Sequence, residues 1–473
     1  MRTLRIAVVG GGIAGLAAAH RLIELKQERS LPLEVVLLEA SRRLGGSIAT
    51  ERVGGFLVEA GPDSFITEKP WAFDLCRRLG LESHLVPARA EHRKIYVVHR
   101  GRLEPLPEGF FLLAPTRARP FLTTPLFSWR GKIRIAAELV VPRRRAASDE
   151  TLASFVRRRF GKELLERVAQ PLIGGIYASD PERLSLEATM PRLAEMERAK
   201  RSVIRAIWSE QRRKKRGSPG SGARWGLFVT LENGMQELVD ALASRLPEGS
   251  VHLGRPARHL VRGGAGTAWM IRAGESAVYE ADGVIVAAPA HAAADLLAMA
   301  ATEAAVELRT IPYVSTATVN LAYRRADLPR PLDAFGFVVP AVEKRAIIAC
   351  TFCSVKYPGR APEDGALLRA FVGGALQPEA FRDDDATMEA KVRNELRELV
   401  GIEAPPLFRR VWRHARSMPQ YELGHGARIE RVRNALSALP GIALAGSAYG
   451  GVGISDCVRT GEEAAERLLR ELA

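Results

Sequence analysis

The sequence predicts an α/β fold: a parallel, Rossmann-like sheet assembled from separated stretches of chain, an α+β unit, and an inserted helical, basic unit suited to docking on a membrane. Three observations carry this. RIAVVG (5–10) is an apolar run that meets a glycine-rich turn, then a helix from about 13 to 25, then EVVLLE (34–39), a strand–turn–helix–strand order with strands buried on both faces. VHLG (251–254), GVIVAAP (283–289) and GIALAG (441–446) read as further strands of the same sheet, followed by a closing helix from about 456 to 472. Between them, 101–215 is helix-rich, Arg-rich and Pro-punctuated, while 305–425 alternates β-branched strands with one helix around 385–400. The expected division is 1–85, 228–300 and 426–473 for the nucleotide unit, 86–100 and 301–425 for the α+β unit, and 101–227 for the helical one. RRKKRGSPGSGAR (212–224), combining like charge with Gly, Ser and Pro, is expected to be a disordered loop.

With 473 residues, 47% of them hydrophobic, the chain is long enough for more than one core. Its 69 basic and 54 acidic side chains are unevenly placed: residues 89–145 hold 13 Lys or Arg against 4 acids, and 192–224 hold 11 against 3. Clustering of this kind suits an anionic surface. FFLLAP, PFLTTPLFSW and IRIAAELVVPRRR set bulky apolar residues beside arginines, as an interfacial segment does, although a helical core with a basic outer face uses the same letters. Nucleic acid is not expected as partner, because no aromatic-interleaved basic strands or helix-turn-helix pattern accompany the charge. The four cysteines, Cys76, Cys350, Cys353 and Cys457, are too few for a disulfide scaffold and fit a reducing compartment. Cys350 and Cys353 lie in AIIACTFC, read as one strand that points them to opposite faces, so neither a redox pair nor a metal site is expected. No signal peptide is read ahead of the first strand, and the apolar run 6–19, with four glycines, is too short to cross a bilayer. The expected location is the cytoplasm, peripheral on the cytoplasmic face of the cell membrane.

Gly10, Gly12 and Gly15 form G-x-G-x-x-G between strand and helix, with Gly11, Ile13 and Ala14 completing the turn. The first glycine permits the tight turn, the second lets a pyrophosphate approach the backbone, and the third lets the helix sit close on the strand. Phosphates then rest on a helix N-terminus, where free N–H groups and the dipole favour negative charge. Glu39, ending the second strand, is placed to accept hydrogen bonds from a ribose diol and disfavours the 2′-phosphate of NADP. The continuation EASRRLGG (39–46), with Ala40, Arg43, Gly45 and Gly46, resembles the extended FAD motif of amine-oxidase-like flavoproteins. That resemblance implies FAD, and adds Gly61, Pro62, Asp63, Ser64, Ala257 and His414 as cofactor contacts. It also implies that the helix opened by SAYGGVGISDC (447–457) aims its N-terminus at the flavin pyrimidine ring, through the backbone N–H groups of Val452, Gly453 and Ile454. A second strand-embedded G-x-G-x-x-G is missing, since GGAG (263–266) sits in an expected hairpin. Electrons are therefore expected from an organic substrate, with oxygen or another acceptor taking them up.

AGPDSF (60–65), RGRLEPLP (100–107), GGIYASDPERLS (174–185), FGFVVP (335–340), YPGRAP (357–362), VGGA (372–375), MPQYELGH (418–425) and AYGGVGISDC (448–457) follow one another in the order and spacing of one family. Over nearly its whole length the chain resembles the protoporphyrinogen oxidases. The resemblance implies six-electron oxidation of a porphyrinogen in heme biosynthesis by three rounds of hydride transfer to FAD, with oxygen as acceptor. Such chemistry needs orientation above the flavin more than a strong base, so no general base is assigned. Gly175 matches a glycine whose backbone faces the substrate, Tyr357 an aromatic position that stacks on the macrocycle, and Leu332 and Val339 apolar contacts opposite. Where related proteins carry an arginine for a propionate, this chain has Ile95, preceded by Arg93 and Lys94 as the nearest cations. That departure keeps coproporphyrinogen III oxidation open as an alternative to protoporphyrinogen IX. More remote are an amine oxidase or carotenoid desaturase on the same scaffold, and a basic flavin-binding structural or nucleic-acid-associated protein. A homodimer and a transient contact with the next heme-pathway enzyme are both compatible with the sequence.

Overall fold

Ile6, Ala7, Val8 and Val9 are all buried, without alternation, as a strand covered on both faces requires. Their strand, Leu4–Val9, pairs in parallel with Leu33–Leu38 on one side and Gly283–Val286 on the other. Val251–His252 and Ile442–Leu444 take the outer positions, so stretches from the beginning, middle and end of the chain lie side by side in one five-stranded parallel sheet. In this computed structural model residues 2–111, 114–144, 148–216, 226–264 and 268–472 are described. The first helix, Ile13–Glu28, packs along the closing helix, Ile454–Leu472. A Cβ at Gly461 would stand 2.2 Å from the carbonyl oxygen of Ala14, so the two helices approach as closely as a glycine allows.

A second sheet has seven strands in the order Phe408–Pro419, Tyr313–Arg324, Gly365–Gly373, Ala349–Phe352, Gly336–Val338, Ile95–His99, Arg102–Pro105. Arg102–Pro105 was expected in the helical stretch; instead Arg100 and Gly101, both at positive φ, make a tight hairpin turn that returns it onto Ile95–His99. One face of this sheet, with Val319, Leu321, Phe337, Leu368 and Ala370, packs on Met388, Val392 and Leu396 of the helix Asp385–Val400. That helix has the expected bounds because Asp384 caps its start, accepting from the Thr387 N–H, and Gly401 at φ 83° ends it. The other face turns Thr318 and Arg369 toward the nucleotide unit.

The third core joins Phe121, Phe127, Ile135, Phe155, Leu164 and Ile207. Many arginines of this basic stretch are consumed internally. Arg159, fully buried, pairs with Glu138 and Glu197, and Arg134 donates to the carbonyls of Arg157, Arg158 and Arg159 at the end of the helix Leu152–Arg159. Of the expected loop, 212–216 belong to the helix Val203–Arg216, anchored by buried Val203, Ile204 and Ile207, while 217–224 lie outside the described residues. The AIIACTFC strand ends at Phe352, and Cys353 opens a one-turn helix rather than continuing it. Among the described residues no cluster of three or more potential metal ligands occurs, and no helix is long and apolar enough to cross a membrane.

Candidate active site

At the carboxyl end of the parallel sheet two glycine turns lie against each other. Gly45 donates to the Gly11 carbonyl at 2.8 Å, and Gly46, at φ 60°, comes so near that a Cβ on it would be 3.3 Å from the Cα of Gly12. The glycines of the first turn divide by role. A Cβ on Gly10 would collide with the Ala287 carbonyl at 2.5 Å and one on Gly15 with the Gly10 carbonyl at 1.9 Å, whereas one on Gly12 would meet nothing within 4 Å. Gly12 therefore borders open space at the N-terminus of Ile13–Glu28, the cradle a pyrophosphate needs.

Glu39 accepts from the Gly11 N–H at 2.6 Å with one carboxylate oxygen and from the Ser41 N–H at 2.7 Å with the other. Each oxygen keeps a second lone pair for a ribose hydroxyl. Beyond Ala40 the chain is held to Gly254 and Arg255, which donate to the carbonyls of Ser41 and Glu39, so Ala257 starts its strand beside this end of the cleft. Arg43 turns its guanidinium inward onto the carbonyls of Leu44, Gly46 and Ile48 and so braces the second glycine turn.

AGPDSF crosses to the second sheet. Gly61 has no room for a side chain, with the Ser47 carbonyl 2.2 Å from its Cβ position; Pro62 follows, and Ser64 donates to Asp63 at 2.7 Å. His414 donates to the Ala60 carbonyl at 2.9 Å, and burial lowers its pKa, keeping it neutral. Thr318 donates to the same carbonyl at 2.8 Å. Asp63 meets Arg369 at 2.7 Å and Lys356 at 3.3 Å. Burial alone would raise the Asp63 pKa, but these two cations hold it well below the ordinary carboxylate range. Arg360 extends the seam, donating to Thr230 and to the carbonyls of Leu231 and Glu232. Lys356, Arg360 and Arg369 were not foreseen as site residues. A lone arginine inside the apolar strand GALLRAFVG was the available signal, because a buried charge needs a partner.

The turn at 446–453 leaves the carboxyl end of the parallel sheet after Ile442–Leu444 and runs into the closing helix. Gly446 donates to the Thr460 hydroxyl at 3.0 Å, Arg459 donates to the Gly450 carbonyl at 2.7 Å, and Lys69 pairs with Asp456 at 2.6 Å. Val452 and Gly453 immediately precede the helix start at Ile454.

The sequence pattern of the flavin containing amine oxidoreductases matches residues 13–469. The chain belongs to this family. As a member it is an FAD-dependent oxidoreductase, and its cofactor is FAD. It is 36% identical over 468 residues to a coproporphyrinogen III oxidase of Bacillus subtilis (strain 168), spanning 99% of this chain and 98% of that one. A protoporphyrinogen oxidase of Bos taurus is 33% identical, spanning 98% of each chain. A solved structure of a provisionally assigned protoporphyrinogen oxidase from Exiguobacterium sp. 255-15 superposes over all of both chains with a TM-score of 0.87 at 32% identity.

Among the residues expected at the substrate, Gly175 lies in the helix Gln170–Tyr177, exposed, with nothing within 4 Å of its Cβ position. Tyr357 is 1% exposed, with Lys356 5.0 Å from its ring centre and Arg360 5.8 Å away. Val339 is buried in the core cluster that includes Val392 and Leu396, and Leu332, half-buried, packs against the same cluster. Period-two alternation gives the opposite face to Val338, which packs toward the helical unit. Ile95 pairs with Gly336 and shares that face with Val97. Lys94 instead pairs with Asp333 at 3.1 Å, and Arg93 extends toward Gly226.

Proposed function

We propose that this chain oxidises a porphyrinogen to the porphyrin, with residues 1–85, 228–300 and 426–473 as the FAD unit, 86–105 and 301–425 as the substrate unit, and 106–227 as the helical unit, the boundary expected at 100 moving past the strand Arg102–Pro105. The observation that carries the reading is likeness over almost the entire chain to porphyrinogen oxidases, joined to an open glycine cradle at Gly12. In this reading Gly10–Gly15, Glu39, Gly45, Gly46 and the Asp63 loop hold FAD, which supplies hydride acceptance when bound. Gly175 offers backbone to the macrocycle, whereas Tyr357, expected to stack on it, is buried with Lys356 and Arg360 over its ring and braces those cations instead. Asp63, ion-paired and ionised, steadies the loop between cofactor and substrate units, and no side chain is needed as a strong base.

Of the two macrocycles, coproporphyrinogen III is favoured over protoporphyrinogen IX. The coproporphyrinogen III relative has the greater identity, 36% against 33%. Fluorescence appearing from each porphyrinogen under air, with purified yellow protein, tests this: faster use of coproporphyrinogen III is expected. Flavin binding without either activity would return the chain to amine or polyene substrates, and oxygen uptake matched to porphyrin formed tests the acceptor.

We also propose contact with an anionic bilayer. On the helix Trp129–Ala136 and beside it, Trp129 (67%), Ile133 (69%) and Val140 (77%) stand exposed with Leu122, flanked by exposed Arg119 and Arg130. Trp and Ile one turn apart present one apolar edge to head groups while the arginines meet phosphates. Pelleting with phosphatidylglycerol vesicles, reduced at least tenfold by Trp129→Ser with Ile133→Ser, is the expected result; unchanged pelleting would overturn it.

A further inference from the structure

MPQYELGH was read as a family signature without a physical role, and the structure supplies one. Tyr421 and His425 stack face to face, ring centres 4.1 Å apart and planes 12° apart. Each reaches the 446–453 turn. The Tyr421 hydroxyl donates to the Ser447 carbonyl and accepts from the Gly451 N–H at 2.8 Å, while His425 Nε2 donates to the Ala448 carbonyl at 3.0 Å. Both side chains are buried. The same segment is anchored on the substrate side, since the Tyr421 carbonyl accepts from the Ser185 N–H at 2.8 Å and Gln420 donates to the Tyr177 carbonyl at 3.2 Å.

Gly451 sits at φ 130°, a conformation open to glycine, and three residues later the closing helix begins. We infer that Tyr421 and His425 form a stacked clamp that fixes this turn, and thereby positions the helix N-terminus against the flavin. They are positioning residues: they touch the turn, and the turn touches the cofactor. The inference rests on the FAD reading and deepens it. A rigidly aimed N-terminus favours the reduced, more negative flavin over the oxidised one, so loosening the turn weakens the first more than the second.

The test uses the full-length protein with Tyr421→Phe and His425→Phe. Both keep an aromatic ring in the stack and remove only the hydrogen bonds to the turn, and either suffices if the other fails to fold. The expected result is FAD released about three- to tenfold more readily, the usual worth of one or two neutral hydrogen bonds. The midpoint potential, measured by dye-equilibrated reduction, is expected to fall by about 15–30 mV, since tenfold in a two-electron equilibrium is about 30 mV. A merely structural pair would lower the melting temperature and leave FAD affinity and potential at wild-type values, which would overturn the clamp. Wild-type protein that takes up no FAD would sink the flavin reading and the clamp together; yellow wild type with unmoved variants sinks the clamp alone.

Discussion

The turn at 10–15 and the turn at 446–453 come from opposite ends of the chain and lead into two helices that pack together, yet they keep their shapes by different means. The first is shaped by backbone crowding among Gly10, Gly15 and Ala287, where a missing Cβ decides everything. The second is held by imported side chains, Tyr421 and His425 from one side and Thr460 and Arg459 from the other. A turn made by steric exclusion is written where it stands. A turn made by hydrogen bonds is written elsewhere in the chain, so its fragility is also found elsewhere.

The largest expected effect separates two glycines of the first turn. Gly12→Val, projecting into open space, should leave the flavin-free protein within about 0.5 kcal/mol of wild type while abolishing FAD retention. Gly15→Ala should cost roughly 3 kcal/mol in the same flavin-free denaturation, because its Cβ has nowhere to go. Equal destabilisation by both would refute the cradle.

The charged seam comes next. Asp63→Asn leaves Arg369 and Lys356 buried without their carboxylate, and should cost roughly 3 kcal/mol at neutral pH. Since the folded pKa of Asp63 is depressed, its contribution is present above the unfolded value near about 4 and is lost as pH falls below it. The variant should therefore lose less stability than wild type on acidification below that point; parallel acid limbs would mean that the pair contributes nothing.

A smaller effect marks the second turn. Burial first, and then the neighbouring Arg428, lower the His425 pKa to about 4, while its bond to Ala448 opposes the shift. Its neutral form contributes stability that is full above the ordinary histidine value near about 6.5 and declines as pH falls toward the folded value. His425→Phe should flatten the stability–pH curve across that window, and an unaltered slope would argue that the proton is taken up elsewhere.

Legibility followed the same division. The glycine motifs, Glu39 and the helix Asp385–Val400 could be read because their causes are local: a strand running into glycines, a carboxylate at a strand end, an aspartate cap and a terminal glycine. Arg102–Pro105 was missed because a hairpin turn at Arg100–Gly101 does not look apolar or alternating. Leu332 and Val339 come from the resemblance alone: Leu332 lies in the loop ahead of the strand Gly336–Val338 and Val339 just after it, so no alternation within a strand fixes the face of either.

What the sequence determined by itself was the nucleotide fold, its assembly from separated stretches, and the family, since each rests on short patterns whose physics is completed within a few dozen residues. Only the tertiary structure decided how the charge is spent and who holds the active-site turns. Asp63 finds Arg369 some three hundred positions away, and Tyr421 finds Ser447 across a helix. Such partners are chosen by which faces the two sheets turn toward each other, and no local pattern encodes a face until the sheets are packed.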